Sequence, residues 1–250
     1  MSGHSKWHSI KHAKGAADAA RGKLFARLAR QIEVAARQGG GDIEGNPTLR
    51  TMVQKARDAS MPKDNIERAI KRGTGELEGV TYEQVSYEGY APHGVAVYVE
   101  TLTDNRNRTG AEVKNAFTRN GGSLAEPGAV SWQFERKGVI QLDKSAASED
   151  DLMLAALEAG AEDIEDEGDS WQVTTPPTDL HAVRTALEEG GIPFTSTDLT
   201  MLPSQTVPLT DASAAKSVLR VIDALEEHDD VQNVYANFDI PDDVLSAVVA

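Results

Sequence analysis

Residues Asp18–Gln38, DAARGKLFARLARQIEVAARQ, set the reading of the whole chain. Placed on a helix at about 100° per residue, Leu24, Leu28, Ile32 and Ala35 share one face, with Phe25 at its edge. Lys23, Arg27, Arg30 and Arg37 gather within roughly 80° on the opposite face. The pattern predicts a helix that buries one side in a small bundle and offers a cationic stripe on the other. A solvated face would look the same, but a stripe of one sign beside a basic tail favours contact with nucleic acid.

Moving outward, the charge is divided between the two ends. Met1 to Gly75 carries 15 Lys and Arg against 7 Asp and Glu; the remainder carries 10 against 33, within a net −15. Solubility alone would need no such division. It suggests a basic head for a polyanion and an acidic body that stays off it. Upstream, Lys6, Trp7, His8, Lys11 and Lys14 mix cations with an aromatic ring. Aromatic faces stack on unpaired bases while cations follow phosphates, so this tail suits single-stranded or irregular RNA. His4, His8 and His12 recur every four residues. That row is a metal face, a polyanion-facing row or mere tail composition, and with no cysteine and no carboxylate before Asp18 metal is the weakest of the three.

Downstream, Gly39-Gly40-Gly41 stops the first helix. Asn46-Pro47 opens a second with Leu49, Met52, Val53 and Ala56 inward. Pro62 begins a third, with Asp64 and Glu67 at capping-box spacing and Gly73-Thr74-Gly75 as a hinge. After Val80 the period changes. Strands are expected around Val95–Val99, Val130–Glu135, Gly138–Leu142, Trp171–Thr174, Ser196–Leu202 and Val231–Phe238. Helices are expected from Thr109, capped with Glu112, over Asp150–Ala159 and Asp179–Glu189, and from Asp211 to Glu227. Trp132 and Trp171 read as core, and the acidic stretch Glu162–Asp169 as a solvated hairpin, because Thr174 stands where a calcium loop needs its bidentate Glu.

The fold expected is therefore α+β, an N-terminal three-helix domain followed by two ferredoxin-like α/β sandwiches, one inserted in the other. The boundaries expected are 1–77, 78–137 plus 207–250, and 138–206. The loop holding Arg106 and Arg108 is a second candidate for phosphate, since it ends a strand and begins a helix. Its competing reading is a turn whose arginines pair with Asp104 or Glu112. Zero cysteine fits a reducing compartment, and the absence of a long apolar run fits a cytoplasmic protein without membrane contact. No nucleophile and base stand in a recognisable arrangement, and no phosphate loop or zinc signature is present. No catalytic residue, metal, cofactor or small-molecule substrate is expected, and the chain is expected to be a monomer.

GHSKW at 3–7, IKHAKGAADAARGKLFARLARQIEVAAR at 10–37, NPTLRTMVQKARDASMPKDNIERAIKRGTGE at 46–76 and YEGYAPHGVAVYVETLTDNRNRTGAEVKNAF at 87–117 resemble the YebC family nearly end to end. That family includes bacterial proteins described as transcriptional regulators or ribosome-associated factors, and a mitochondrial translational activator. The resemblance implies three domains, no enzymatic activity, and DNA, ribosomal RNA or the ribosome as partner. The other class of function compatible with the charge pattern is an adaptor whose acidic body binds a basic protein.

Overall fold

The computed structural model describes residues 17–249 of the 250. The head is three helices, α1 (Ala17–Gly39), α2 (Pro47–Asp58) and α3 (Lys63–Thr74). Leu28, Ile32, Leu49, Val53, Ile66 and Ala69 form its buried core, so the apolar face read from the period is the one that packs. Leu24, expected on that face, lies in the first turns of α1 and is exposed. Asn46 locks the first corner. Its side chain accepts from Leu49 N–H at the start of α2 and donates to the carbonyls of Ala35 and Gly40 at the end of α1. The capping box at Asp64 is not made, because Pro62 stands at the cap of α3 without a side-chain bond. Gly73 is a packing residue rather than a hinge. A Cβ there would lie 2.4 Å from the Glu33 carbonyl, so only glycine lets α3 cross α1 this closely.

The first sheet follows. The hairpin β1 (Glu83–Tyr90) and β2 (Ala96–Thr103) leads into α4 (Arg106–Arg119) and the short edge strand β3 (Ser123–Ala125). The chain leaves this sheet and returns through β8 (Val207–Pro208), α7 (Ala212–Glu226), β9 (Val231–Ala236), β10 (Phe238–Asp239) and α8 (Asp242–Val249). Strand order is β3-β1-β2-β9, every neighbour antiparallel, with Tyr87 opposite Val99 and Val99 opposite Val234. Val95, Val97 and Val99 bury against Val113 and Phe117 of α4 and Val218, Ile222 and Leu225 of α7.

Between these halves lies the second sheet. It comprises β4 (Phe134–Asp143), α5 (Glu149–Leu152) with a π turn at Met153–Leu157, β5 (Asp163–Asp166), β6 (Ser170–Thr175), α6 (Leu180–Glu189) and β7 (Ser196–Pro203). The antiparallel order β5-β6-β4-β7 is the split βαβ arrangement. Its core is Ile140, Leu142, Leu152, Trp171, Val173, Val183 and Leu187. The first sheet has the same two layers, but its chain order begins with a hairpin.

Several local expectations are corrected. Strand β1 escapes the periodicity because Gly89 occupies a core-facing position, where a Cβ would meet the Phe117 ring at 2.8 Å. The two strands expected at Val130–Glu135 and Gly138–Leu142 are one strand, β4, preceded by a 3₁₀ turn at Ser131–Gln133. The boundary expected between Lys137 and Gly138 falls inside that strand, which pairs with β7 from Phe134 onward. Trp132, expected in the core, is 74% exposed. The reason is the buried Glu88 carboxylate, which accepts the N–H groups of Gly128, Val130 and Ser131 at 2.6–2.8 Å and bends this segment away from a sheet. Helix α4 begins three residues before Thr109, capped by Asn105, whose side chain accepts from Arg108 N–H. Helix α8 was not expected at all.

Candidate nucleic-acid interface

Two candidate regions about 80 residues apart meet at one carboxylate, Asp230, the residue before β9. Helix α1 lies with its cationic stripe turned to the end of α7. Lys23 Nζ donates to the Glu227 carbonyl at 3.1 Å, and an Arg27 guanidinium nitrogen donates to the Glu226 carbonyl. Arg30 donates to the Asp229 carbonyl at 2.6 Å and to Asp230 Oδ1 at 3.0 Å. These acceptors sit at and just past the C-terminal end of α7, where unpaired carbonyls and the helix dipole favour cations. From the other side, Arg108 Nη2 donates to Asp230 Oδ2 at 2.7 Å and to Asp104 at 2.9 Å. Thr109 donates to the same Oδ2 at 2.7 Å.

Asp230 is thus a buried node, its side chain 5% exposed. Burial opposes its charge, but the Thr109 hydroxyl, Arg108 and Arg30 together outweigh burial and hold its carboxyl below the usual aspartate range. Arg27 is also drawn in: desolvation lowers its pKa, although the charges of Glu226 and Asp229 act against that. His228 finishes the corner. Its Nδ1 accepts from Asp230 N–H at 3.0 Å, leaving Nε2 as donor to Glu112 at 2.7 Å. A cavity of about 210 Å³ lined by Gly22, Lys23, Arg27, Arg30, His228 and Asp229 lies along the seam.

The stripe on α1 was expected to face outward. In the folded chain it is the contact surface between head and body, because a row of cations finds a row of backbone oxygens within reach. Arg37 is engaged within the head and its linker, donating to Thr81 Oγ1 at 2.9 Å and pairing with Glu33 at 3.4 Å. Arg108 makes the Asp104 pair that the competing reading foresaw, and the Asp230 pair in addition. Arg106 lies in the first turn of α4, exposed, and its side chain makes no ion pair among the described residues. Among the described residues the other exposed cations of the head without an ion pair are Arg21, Lys23, Arg57, Arg68 and Lys71, of which Lys23 is held by the Glu227 carbonyl. Lys6, Trp7, His8, Lys11 and Lys14, with the His4/His8/His12 row, lie outside the described residues. Among the described residues no cluster of His, Asp and Glu could hold a metal ion, and no helix is long and apolar enough to cross a membrane.

Asp230 and the carbonyl end of α7 were not foreseen. The available signal was the run Glu226-Glu227-His228-Asp229-Asp230, acids at a helix C-terminus where the dipole disfavours them. Such a run needs cations from elsewhere, and α1 supplies them.

Fold and seam together define a class: a cation-rich helical head fastened to a body of two α+β sandwiches, one inserted in the other. Residues 5–76 match the family described as TACO1/YebC protein N-terminal domain, and residues 82–238 match TACO1/YebC second and third domain. The chain belongs to the TACO1/YebC family. It is 56% identical over 250 residues to a protein of Halothermothrix orenii and 59% identical over 249 residues to one of Rubrobacter xylanophilus, with 99% of each chain covered. Both carry the name "probable transcriptional regulatory protein". A crystal structure of a conserved hypothetical protein from Aquifex aeolicus, 50% identical, superposes with a TM-score of 0.80 over 90% of this chain and 93% of that one.

Proposed function

We propose that this chain is a non-enzymatic regulator of gene expression that grips nucleic acid by its phosphate backbone. Its domains are a head over 1–77, a split sandwich over 78–133 plus 207–250, and an inserted sandwich over 134–206 that begins with β4. The observation that carries the reading is the convergence around Asp230, where the α1 stripe and the start of α4 bring Lys23, Arg27, Arg30 and Arg108 to one seam, with Arg106 two residues before Arg108 in the first turn of α4. Lys23, Arg27 and Arg30 extend over eight residues of helix, a rise of about 10 Å, or roughly three 3.4 Å steps of a nucleic-acid strand. In the free protein these side chains are satisfied by carbonyls and a carboxylate. A phosphate strand offers the same oxygens at higher charge density, so it competes for the stripe and opens the seam. Arg106, which makes no ion pair among the described residues, is the first contact.

No stretch of the sequence shows helix-turn-helix spacing with a polar reading helix, so affinity comes from phosphates and from stacking by the Trp7 segment, which suits unpaired RNA. The names borne by the relatives point to transcription; ribosomal RNA offers the same phosphates. Binding of a labelled single strand and a labelled duplex, titrated from low to physiological salt, tests the reading. With about five phosphate contacts the logarithm of affinity falls against log salt with a slope of roughly −4. A slope near zero, or no binding to either, contradicts it.

A further inference from the structure

The inserted sandwich carries a feature that the seam does not use. From Phe134 to Thr206 it holds 16 acidic side chains and four basic ones, Arg136, Lys137, Lys144 and Arg184. All four are occupied: Arg136 pairs with Glu100, and Lys137 with Glu135 and Glu162. Lys144 pairs with Asp166 and lies over the Trp171 ring; Arg184 pairs with Glu188 and lies over Phe194. In this polar setting the π turn Met153–Leu157 turns three large apolar side chains outward. Met153, Leu154 and Leu157 are exposed, Leu154 to 68%, while Leu152 and Ala156 fill the core. A helix apolar on its outer as well as its inner side has one face without cover. Single exposed leucines are ordinary; a cluster of three on one turn, rimmed by charge, marks an interaction surface.

The rim says what fits there. The side chains of Glu149, Asp150 and Glu158 are exposed and make no hydrogen bond or ion pair among the described residues. Glu149 and Asp150 stand in the first turn of α5, where the helix dipole accounts for them. Glu158 does not fit that account, because it caps the C-terminal end, where a carboxylate opposes the dipole. An acid on that side of an apolar knob offers a charge for a cation of another molecule to meet.

We propose that this knob is a docking site for a basic amphipathic helix of a partner protein, with its apolar face seated on Met153, Leu154 and Leu157 and its Lys and Arg residues on Glu149, Asp150 and Glu158. The site is independent of the nucleic-acid reading. It gives the acidic unit a role that a polyanion could not share, and proteins that coat nucleic acid present basic segments of this kind.

The test uses the full chain and a labelled 18-residue helical peptide with leucines at i, i+4, i+7 and i+11 and lysines elsewhere. Two control peptides replace the lysines by glutamate or the leucines by serine. Fluorescence anisotropy is expected to show the Lys/Leu peptide binding at least tenfold more tightly than either control. Leu154→Ser and Leu157→Ser should each reduce that affinity tenfold or more. Asp150→Asn with Glu158→Gln should flatten its salt dependence. These positions are exposed, and circular dichroism checks that each variant is folded. Equal binding of the serine peptide, or unchanged affinity in Leu154→Ser, would overturn the site and leave only diffuse attraction to an acidic surface. Sedimentation of the chain alone is expected to show no association through the knob. Self-association abolished by Leu154→Ser would assign the face to a second copy instead.

Discussion

The seam at Asp230 and the rim of the π turn at Met153–Leu157 present similar runs of acid in the sequence, yet the fold treats them oppositely. At the seam the buried carboxylate and the helix-end carbonyls are answered: Asp230 by Arg30, Arg108 and Thr109, and the backbone end of α7 by Lys23 and Arg27, while the exposed carboxylates of Glu227 and Asp229 make no ion pair among the described residues. At the rim the side chains of Glu149, Asp150 and Glu158 make no ion pair among the described residues and stand beside exposed leucines. The difference arises from what each run ends against. The acids after α7 lie where α1 passes with a cation every three or four residues. The acids around α5 lie on an outer layer where Lys144 and Arg184 are held by Asp166 and Glu188. Charge density alone therefore does not tell fastening from docking; the neighbour that completes the hydrogen bonds does.

That contrast can be broken most severely at Asp230. Asp230→Ala leaves Arg30 and Arg108 facing a void and should lower stability by about 3 kcal/mol, read as a fall in thermal midpoint and separation of head from body. Acid should do part of the same work. The folded-state pKa of Asp230 is depressed, so its contribution is complete above the unfolded value near 4 and is lost as pH falls through the lower folded value. In Asp230→Asn the acid-induced loss in that range should shrink; an unchanged acid limb would place the titration elsewhere.

Arg27→Ala should cost less, about 2 kcal/mol, since it removes a charged donor from one buried carbonyl. Stability within experimental error of the parent would mean that the stripe does not fasten the head. Smaller again, Glu158→Gln at the rim should change stability by no more than about 0.5 kcal/mol, and upward, because it removes a carboxylate from a helix C-terminus. A clear loss would show that Glu158 has an internal partner and that the two regions are alike. Arg106→Ala should leave the melting curve in place and weaken nucleic-acid binding several-fold, since one phosphate contact is lost.

Much of this was legible from the chain. The three head helices, the strand of Val95, Val97 and Val99, and the long helix from Asp211 announced themselves through period and caps, because their apolar faces are continuous. Strand β1 did not, since Gly89 stands where the pattern needs an apolar residue. Trp132 was misplaced because apolar character suggests burial, whereas the fold of its segment is dictated by Glu88, some forty residues away. The cations of the stripe were identifiable as a row, but their acceptors are about 200 residues distant and mostly backbone carbonyls. Carbonyls carry no signature in side-chain chemistry, so the seam could be seen only when the helices were placed.

The central claim is that one row of cations serves the body when the protein is free and a phosphate strand when it is bound. The chain has no cysteine, so a pair of spin labels can be introduced cleanly at Arg57→Cys on the head and Lys216→Cys on α7, both exposed and outside the seam. The distance between the labels should be short and narrowly distributed in the free protein. On saturation with nucleic acid it should become longer and broader. A distribution that stays unchanged while the nucleic acid is demonstrably bound would contradict the exchange and make the head a fixed platform.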